Sequence, residues 1–156
     1  MEIQNIELHR ITVTAIIFKD GKYLLTQRNF NKKAFPGKWN VPGGGVEVSD
    51  YIDTPKTTKE AWYYALENTL RREIKQEVGL EIEKPKYLLD LAFIRPDNIP
   101  VITLSYYCAW KSGEVKLDEE CINYAWVTLE EAKNYDLISG VFEEIEMVDK
   151  ILKGKN

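Results

Sequence analysis

The sequence predicts a layered α/β domain, and three observations carry that expectation. Two β-rich runs, Thr12–Phe18 and Lys22–Arg28, flank Asp20-Gly21, a dipeptide suited to a tight hairpin. A long helical pattern places Leu66, Leu70, Ile74 and Val78 on one stripe and stops at Gly79. Further β-like runs then alternate with two more helical patterns, and strands interspersed with helices pack as layers.

The elements follow in chain order. Phe30–Asn40 reads as a polar loop with a turn at Pro36-Gly37. Trp39–Gly45 leads into a glycine loop, Pro42-Gly43-Gly44-Gly45-Val46-Glu47. Thr57 or Thr58 is placed to cap the long helix, with Lys59–Val78 as its body. Tyr87–Arg95 and Val101–Lys111 read as strands, joined by a turn at Pro96-Asp97-Asn98; Ser112-Gly113 is another turn, and Tyr124–Val127 a short strand. Leu129–Asn134 and Val141–Leu152 read as helices, the second with Val141, Ile145, Val148 and Leu152 on one face. No repeat, low-complexity tract or linker interrupts the chain, so residues 1–156 read as one domain.

Composition narrows the function classes. A formal charge of −4 argues against a broad basic face for nucleic acid. It leaves nucleotides open, because a metal ion neutralises phosphate locally. No apolar run is long enough to span a membrane. Met1–Arg10 carries Glu2 and Glu7 and no apolar run, so it does not read as a secretory signal. Cys108 and Cys121 lack metal-type spacing and read as reduced structural cysteines of a cytoplasmic protein.

The long helix carries the chemistry. At about 100° per residue, with Leu70 set at zero, Glu77 falls roughly 20° away, inside the apolar stripe. Glu73 lies roughly 60° away, on its edge, and Gln76 about 120° away. Glu73, Gln76 and Glu77 are therefore neighbours able to converge on one point. A carboxylate on an apolar face is costly unless it is paired or bound to a cation. Arg71, Arg72 or a lysine from elsewhere would satisfy it as an ion pair; a divalent metal holding a phosphate would satisfy it as a site.

Gly44, followed by Arg72-Glu73-Ile74-Lys75-Gln76-Glu77-Val78-Gly79-Leu80, resembles the signature box of the Nudix (MutT-like) hydrolases, Gly-x5-Glu-x7-Arg-Glu-U-x-Glu-Glu-x-Gly-U with U aliphatic. Trp39-Asn40-Val41-Pro42-Gly43-Gly44 is similar to the family's lead-in, and Ala125–Ala132 to its late strand-to-helix junction. The resemblance implies the Nudix fold, a mixed β-sheet sandwiched between α-helices. It also implies a metal-dependent pyrophosphohydrolase that cleaves a nucleoside diphosphate linked to another group, by attack of water on phosphorus.

The same resemblance implies roles for particular residues. The carbonyl of Gly43 with Glu73, Gln76 and Glu77 would hold Mg²⁺ or Mn²⁺. Glu73 is the first choice for general base, with Glu119 and Glu120 next, while Arg72 would orient the box carboxylates. Arg28 matches a frequent family arginine near the substrate phosphates, and Arg95 could grip phosphate or ribose. Gly44 and Gly45 would let the backbone approach a bound anion. Phe35, Trp39, Tyr51, Trp62 and Phe93 are candidates to stack on a base, with core packing as the plainer role of each.

Two features depart from the family pattern. Gln76 stands where the first glutamate of the Glu-Glu pair belongs, and a neutral amide is a weaker ligand for a hard cation. That substitution favours a second reading, a nucleotide-sensing module that kept the fold and lost turnover. A third reading is an ion-paired structural domain. Asp50 sits where the pattern's first glutamate falls, but Arg72 follows far later than the pattern allows. Asp50, Glu60 and Glu67 all remain candidates to partner Arg72. The extra segment, about residues 51–64, has two open roles: shaping the pocket, or building a homodimer contact through Trp62, Tyr63 and Tyr64.

Overall fold

The structure is a computed structural model that describes residues 6–154. Its eight strands are β1 (Arg10–Lys19), β2 (Lys22–Arg28), β3 (Trp39–Asn40), β4 (Gly43–Gly45), β5 (Glu81–Ile82), β6 (Lys86–Ile94), β7 (Pro100–Ser112) and β8 (Cys121–Val127). The helices are α1 (Ala65–Val78), α2 (Leu129–Ala132) and α3 (Val141–Leu152).

β1 organises the sheet. It runs parallel to β7, in register from Arg10–Val101 to Phe18–Ala109. On its other edge it meets two partners in turn. The Asp20-Gly21 turn has both residues left-handed (φ 52° and 75°), as a two-residue hairpin requires, and folds β2 back against the C-terminal end of β1. β4 pairs with the N-terminal half, from Thr12–Gly45 to Thr14–Gly43. β8 and β3 extend the sheet beyond β2, while β6 and β5 pair antiparallel with β7. The result is a mixed sheet covered by helices on both faces.

Alternation along β1 feeds two cores. Val13, Ala15 and Ile17 face α1, where Leu70, Ile74 and Val78 are fully buried. Ile16 faces the other way and packs with Tyr23, Leu25 and Val127 against Val141, Ile145 and Val148 of α3. Inside this second core the Tyr23 hydroxyl donates to Asp149 at 2.7 Å. Burial and that carboxylate both push the phenol pKa upward.

The structure corrects three local expectations. The helix begins at Ala65 rather than Lys59, and neither Thr57 nor Thr58 caps it. Those hydroxyls accept instead from Tyr63 N–H (3.0 Å) and Ala61 N–H (3.0 Å), closing residues 51–64 into a self-bonded excursion that also stacks Tyr51 on Trp62. The helix then starts from Tyr64 in a left-handed conformation, φ 60°. The three glycines form a strand rather than a loop, because β1 offers an unpaired edge there. β8 begins at Cys121, earlier than its apolar pattern indicates, since pairing with β2 continues through polar Asn123 to Arg28. Among the described residues, no helix is long and apolar enough to cross a membrane.

Replacing Tyr23 with Phe removes one buried hydrogen bond to a carboxylate and is expected to cost about 1–2 kcal/mol of stability in chemical denaturation. Tyr23 is not among the residues expected at the site, so catalysis should survive that change.

Candidate active site

Arg72 is the hub that joins α1 to the glycine strand. Its Nε donates to Asp50 Oδ1, and its Nη2 donates to Asp50 Oδ2 at 3.1 Å and to the Gly45 carbonyl at 3.0 Å. Its Nη1 donates to Glu73 Oε1 at 2.8 Å and to Gln76 Oε1 at 3.3 Å. Asp50 is therefore the partner of Arg72. Glu67 pairs with Arg71 instead (3.1 Å), and Glu60 lies exposed in the excursion.

Asp50 earns little contact with water: its side chain is 1% exposed. Its remaining lone pairs accept from Thr69 Oγ1 (2.6 Å) and from the backbone N–H of Glu47 (2.9 Å). The Arg72 guanidinium, helped by these two donors, holds the Asp50 carboxyl down at about 2.

The helical phase sorts the box residues as the stripe geometry implies. Glu77 is buried (8% exposed), Glu73 is partly buried and Gln76 faces solvent. Glu73 lies against the floor of the site, since a Cβ on Gly44 would overlap its carboxylate. Only a glycine at position 44 leaves that space. Burial pushes the Glu73 pKa upward, with Arg72 opposing the shift.

Glu77 is the outlier. Among the described residues no lysine or arginine pairs with it; its one side-chain partner is the Cys121 thiol at 3.5 Å. Burial, with Asp118, Glu73 and Glu120 adding repulsion, pushes its pKa to about 8. Asp118 is brought close because the 116–118 segment is pinned to the end of α1, by Lys116 N–H on Val78 O (2.9 Å) and Asp118 N–H on Glu77 O (3.1 Å). Cys121, which reads from sequence as a structural thiol, thus lies beside the most perturbed carboxylate. Nothing in its spacing signals that position.

The other expected residues are placed as follows. Glu120 lies just before β8, close enough to Glu77 to repel it, and its carboxylate pairs with Lys32. Arg28 ends β2, and its Nε donates to the Ala34 carbonyl at 2.9 Å. Phe93 meets Phe35 edge to face, with ring centroids 6.3 Å apart. Phe35 holds a left-handed backbone, φ 52°, uncommon for an aromatic residue. Trp39 packs on Tyr135 in the core, and Tyr51 and Trp62 pack on each other. Arg95 lies in the β6–β7 turn, clamped in a two-point pair by Asp97 (3.0 and 2.6 Å), and makes no bond to a box residue.

The donors fit a hard divalent cation. Glu77 is a buried carboxylate without a counter-charge, and Glu73 faces the same helix flank with one oxygen not bonded to Arg72. Among the described residues, no three His, Cys, Asp or Glu side chains already converge as a metal site. A divalent ion held here would draw on these two carboxylates with amide, carbonyl, water or phosphate oxygens to complete its shell.

Known proteins place this arrangement in a class. Residues 8–148 match the family model of the NUDIX domain. Nucleoside triphosphatase NudI of Escherichia coli strain K12 is 35% identical over 138 residues, covering 82% of this chain and 88% of that protein. The MutT protein of Methanosarcina mazei Go1 superimposes with a TM-score of 0.72 at 26% identity, over 96% of this chain and 99% of that one. The NUDIX domain of Shewanella oneidensis NrtR, crystallised with ADP ribose, shares the fold with a TM-score of 0.71 at 20% identity, covering 94% and 90%. These matches make the chain a hydrolase acting on phosphorus anhydrides. The chain belongs to the Nudix family and is a nucleotide pyrophosphohydrolase, in a family that generally needs a divalent metal.

The Asp50 pair gives a pH signature. Its folded pKa lies below its ordinary value of 3.8, so its contribution is present above about pH 4 and is lost as pH falls towards 2. Asp50→Asn should lower stability by on the order of 2 kcal/mol at neutral pH. The gap to wild type should close between about pH 4 and pH 2 in urea titrations at each pH.

Proposed function

We propose that the chain hydrolyses a nucleoside triphosphate, or another nucleoside diphosphate derivative, with Glu73, Glu77 and the Gly43 carbonyl holding Mg²⁺ or Mn²⁺. The observation that carries the reading is Glu77. It is a buried carboxylate with a raised pKa and, among the described residues, no cationic partner, one turn along α1 from the Glu73 that lies against Gly44. The Escherichia coli relatives are nucleoside triphosphatases, which supports a triphosphate.

An ion held there would supply charge neutralisation at phosphate and a more acidic water. The remaining work falls to the chain. Arg72 holds Glu73 by Oε1, and of the lone pairs this leaves on the carboxylate one would face the ion and another accept the proton of the attacking water. Water adds to phosphorus and the anhydride P–O bond breaks: a triphosphate gives nucleoside monophosphate and pyrophosphate, and another nucleoside diphosphate derivative gives nucleoside monophosphate and the phosphorylated second group. Glu120 is the alternative base and would first have to give up Lys32. Gln76 is the weak member of the metal set: exposed, neutral and turned to Arg72. Arg28 faces the phosphates with the nitrogens that Ala34 does not engage. Phe93 with Phe35 offers an aromatic edge to a base. Arg95 would have to exchange Asp97 to reach substrate.

The reading extends to setting and partners. Free Cys108 and Cys121 support a cytoplasmic location. The net charge of −4 supports the absence of a nucleic-acid partner. Exposed Tyr63 and Tyr64 support a homodimer contact at the excursion. Gln76 keeps a second reading in play, a Nudix module that binds a nucleotide without turning it over.

The test is pyrophosphate release from a nucleotide panel, with Mg²⁺ and Mn²⁺ in turn. Wild type should cleave a member of the panel, Glu77→Gln should lower kcat by on the order of 100-fold or more, and Gln76→Glu should raise turnover about tenfold. If Gln76→Glu binds nucleotide and cleaves none, the sensing module is the better description.

A further inference from the structure

Arg10 is an exposed arginine at the start of β1 that lies outside the signature box. Its guanidinium rests on the glycine strand, where a Cβ on Gly45 would collide with its Nη2. Among the described residues no carboxylate pairs with it and no acceptor takes its hydrogen bonds. Among the described residues, Arg28 gives its Nε to the Ala34 carbonyl and keeps its other nitrogens, and the remaining three arginines are committed. Arg72 serves Asp50, Glu73 and Gly45, Arg71 serves Glu67 and the Ile82 carbonyl, and Arg95 serves Asp97.

Its position relative to the acids is informative. Gly44 pairs with Val13, and Gly45 with Thr12, so adjacent glycines present their Cα atoms to opposite faces of the sheet. One face meets the Glu73 carboxylate, the other the Arg10 guanidinium. The strand between them has no side chains. The register also aligns Arg10, Val101 and Phe93 in one row across β1, β7 and β6, with Phe35 on Phe93. A chain of phosphates crossing the glycines would meet acids suited to a cation on one side and an unpaired guanidinium on the other. A guanidinium suits phosphate oxygens because its planar fork donates two hydrogen bonds at once.

We infer that Arg10 binds the polyphosphate chain of the substrate across Gly45, taking the phosphate charge that the ion held by Glu73 and Glu77 does not neutralise. This rests on the hydrolase reading above, and names the side chain that makes the site prefer substrates with an extended phosphate chain.

The experiment combines steady-state kinetics on the best nucleotide of the panel with calorimetric titration of inorganic pyrophosphate and of nucleoside monophosphate, all in Mn²⁺. Arg10 is exposed, so Arg10→Gln should leave the melting temperature unchanged. It should raise KM about 10- to 100-fold and leave kcat within about threefold. Pyrophosphate affinity should fall by a similar factor while monophosphate affinity holds, and Arg10→Lys should recover part of the loss. Unchanged KM and unchanged pyrophosphate affinity in Arg10→Gln would overturn the inference. So would an equal loss of affinity for both anions. Pyrophosphate binding needs no turnover, so it reads Arg10 even if wild type cleaves nothing, an outcome that would count against the hydrolase reading instead.

Discussion

A buried carboxylate without a counter-charge is the constraint around which this molecule is arranged. Glu77 lies on the buried side of α1, and among the described residues its side-chain hydrogen-bond partner is the Cys121 thiol. Burying such a group costs several kcal/mol unless it takes a proton or a cation. Without an ion it takes a proton, which is what a pKa of about 8 expresses. The arginines that might have neutralised it are engaged elsewhere. Asp50 holds Arg72, and Glu67 holds Arg71. The clamp between Asp50 and Arg72 therefore does two things: it ties the helix to the glycine strand and directs Arg72 to Asp50 and Glu73 rather than to Glu77.

The glycine strand makes the same arrangement possible from the other side. β4 lies on the edge of β1 that β2 leaves open, and residue 44 needs the room that a missing side chain provides. Two cores, one per sheet face, hold α1 and α3 in place. The candidate site thus lies where α1 meets a strand without side chains, so its residues are held by secondary structure.

Much of this was legible in the residues alone. The angular positions of Glu77, Glu73 and Gln76 relative to Leu70 order their burial correctly, because helical phase is local. The hairpin at Asp20-Gly21 and the stop at Gly79 were equally local signals. The start of α1 was not. Thr57 and Thr58 look like caps, but their hydroxyls bond inside the excursion, and the helix begins only after Tyr64 reverses the backbone. The choice of Asp50 over Glu60 and Glu67 depends on where that excursion returns, a matter of long-range packing such as the Thr69 hydroxyl on Asp50. Arg10 carries no local mark at all, since the glycine it covers is distant in sequence and adjacent only through the register of β1 and β4.

The most direct measurement is anomalous diffraction from a crystal grown in Mn²⁺ without nucleotide. A manganese peak about 2.2 Å from an oxygen of Glu77, with Glu73 or the Gly43 carbonyl in the same shell, is the expected result. A Glu77 carboxylate held by a lysine or arginine, with no metal density beside it, would contradict it.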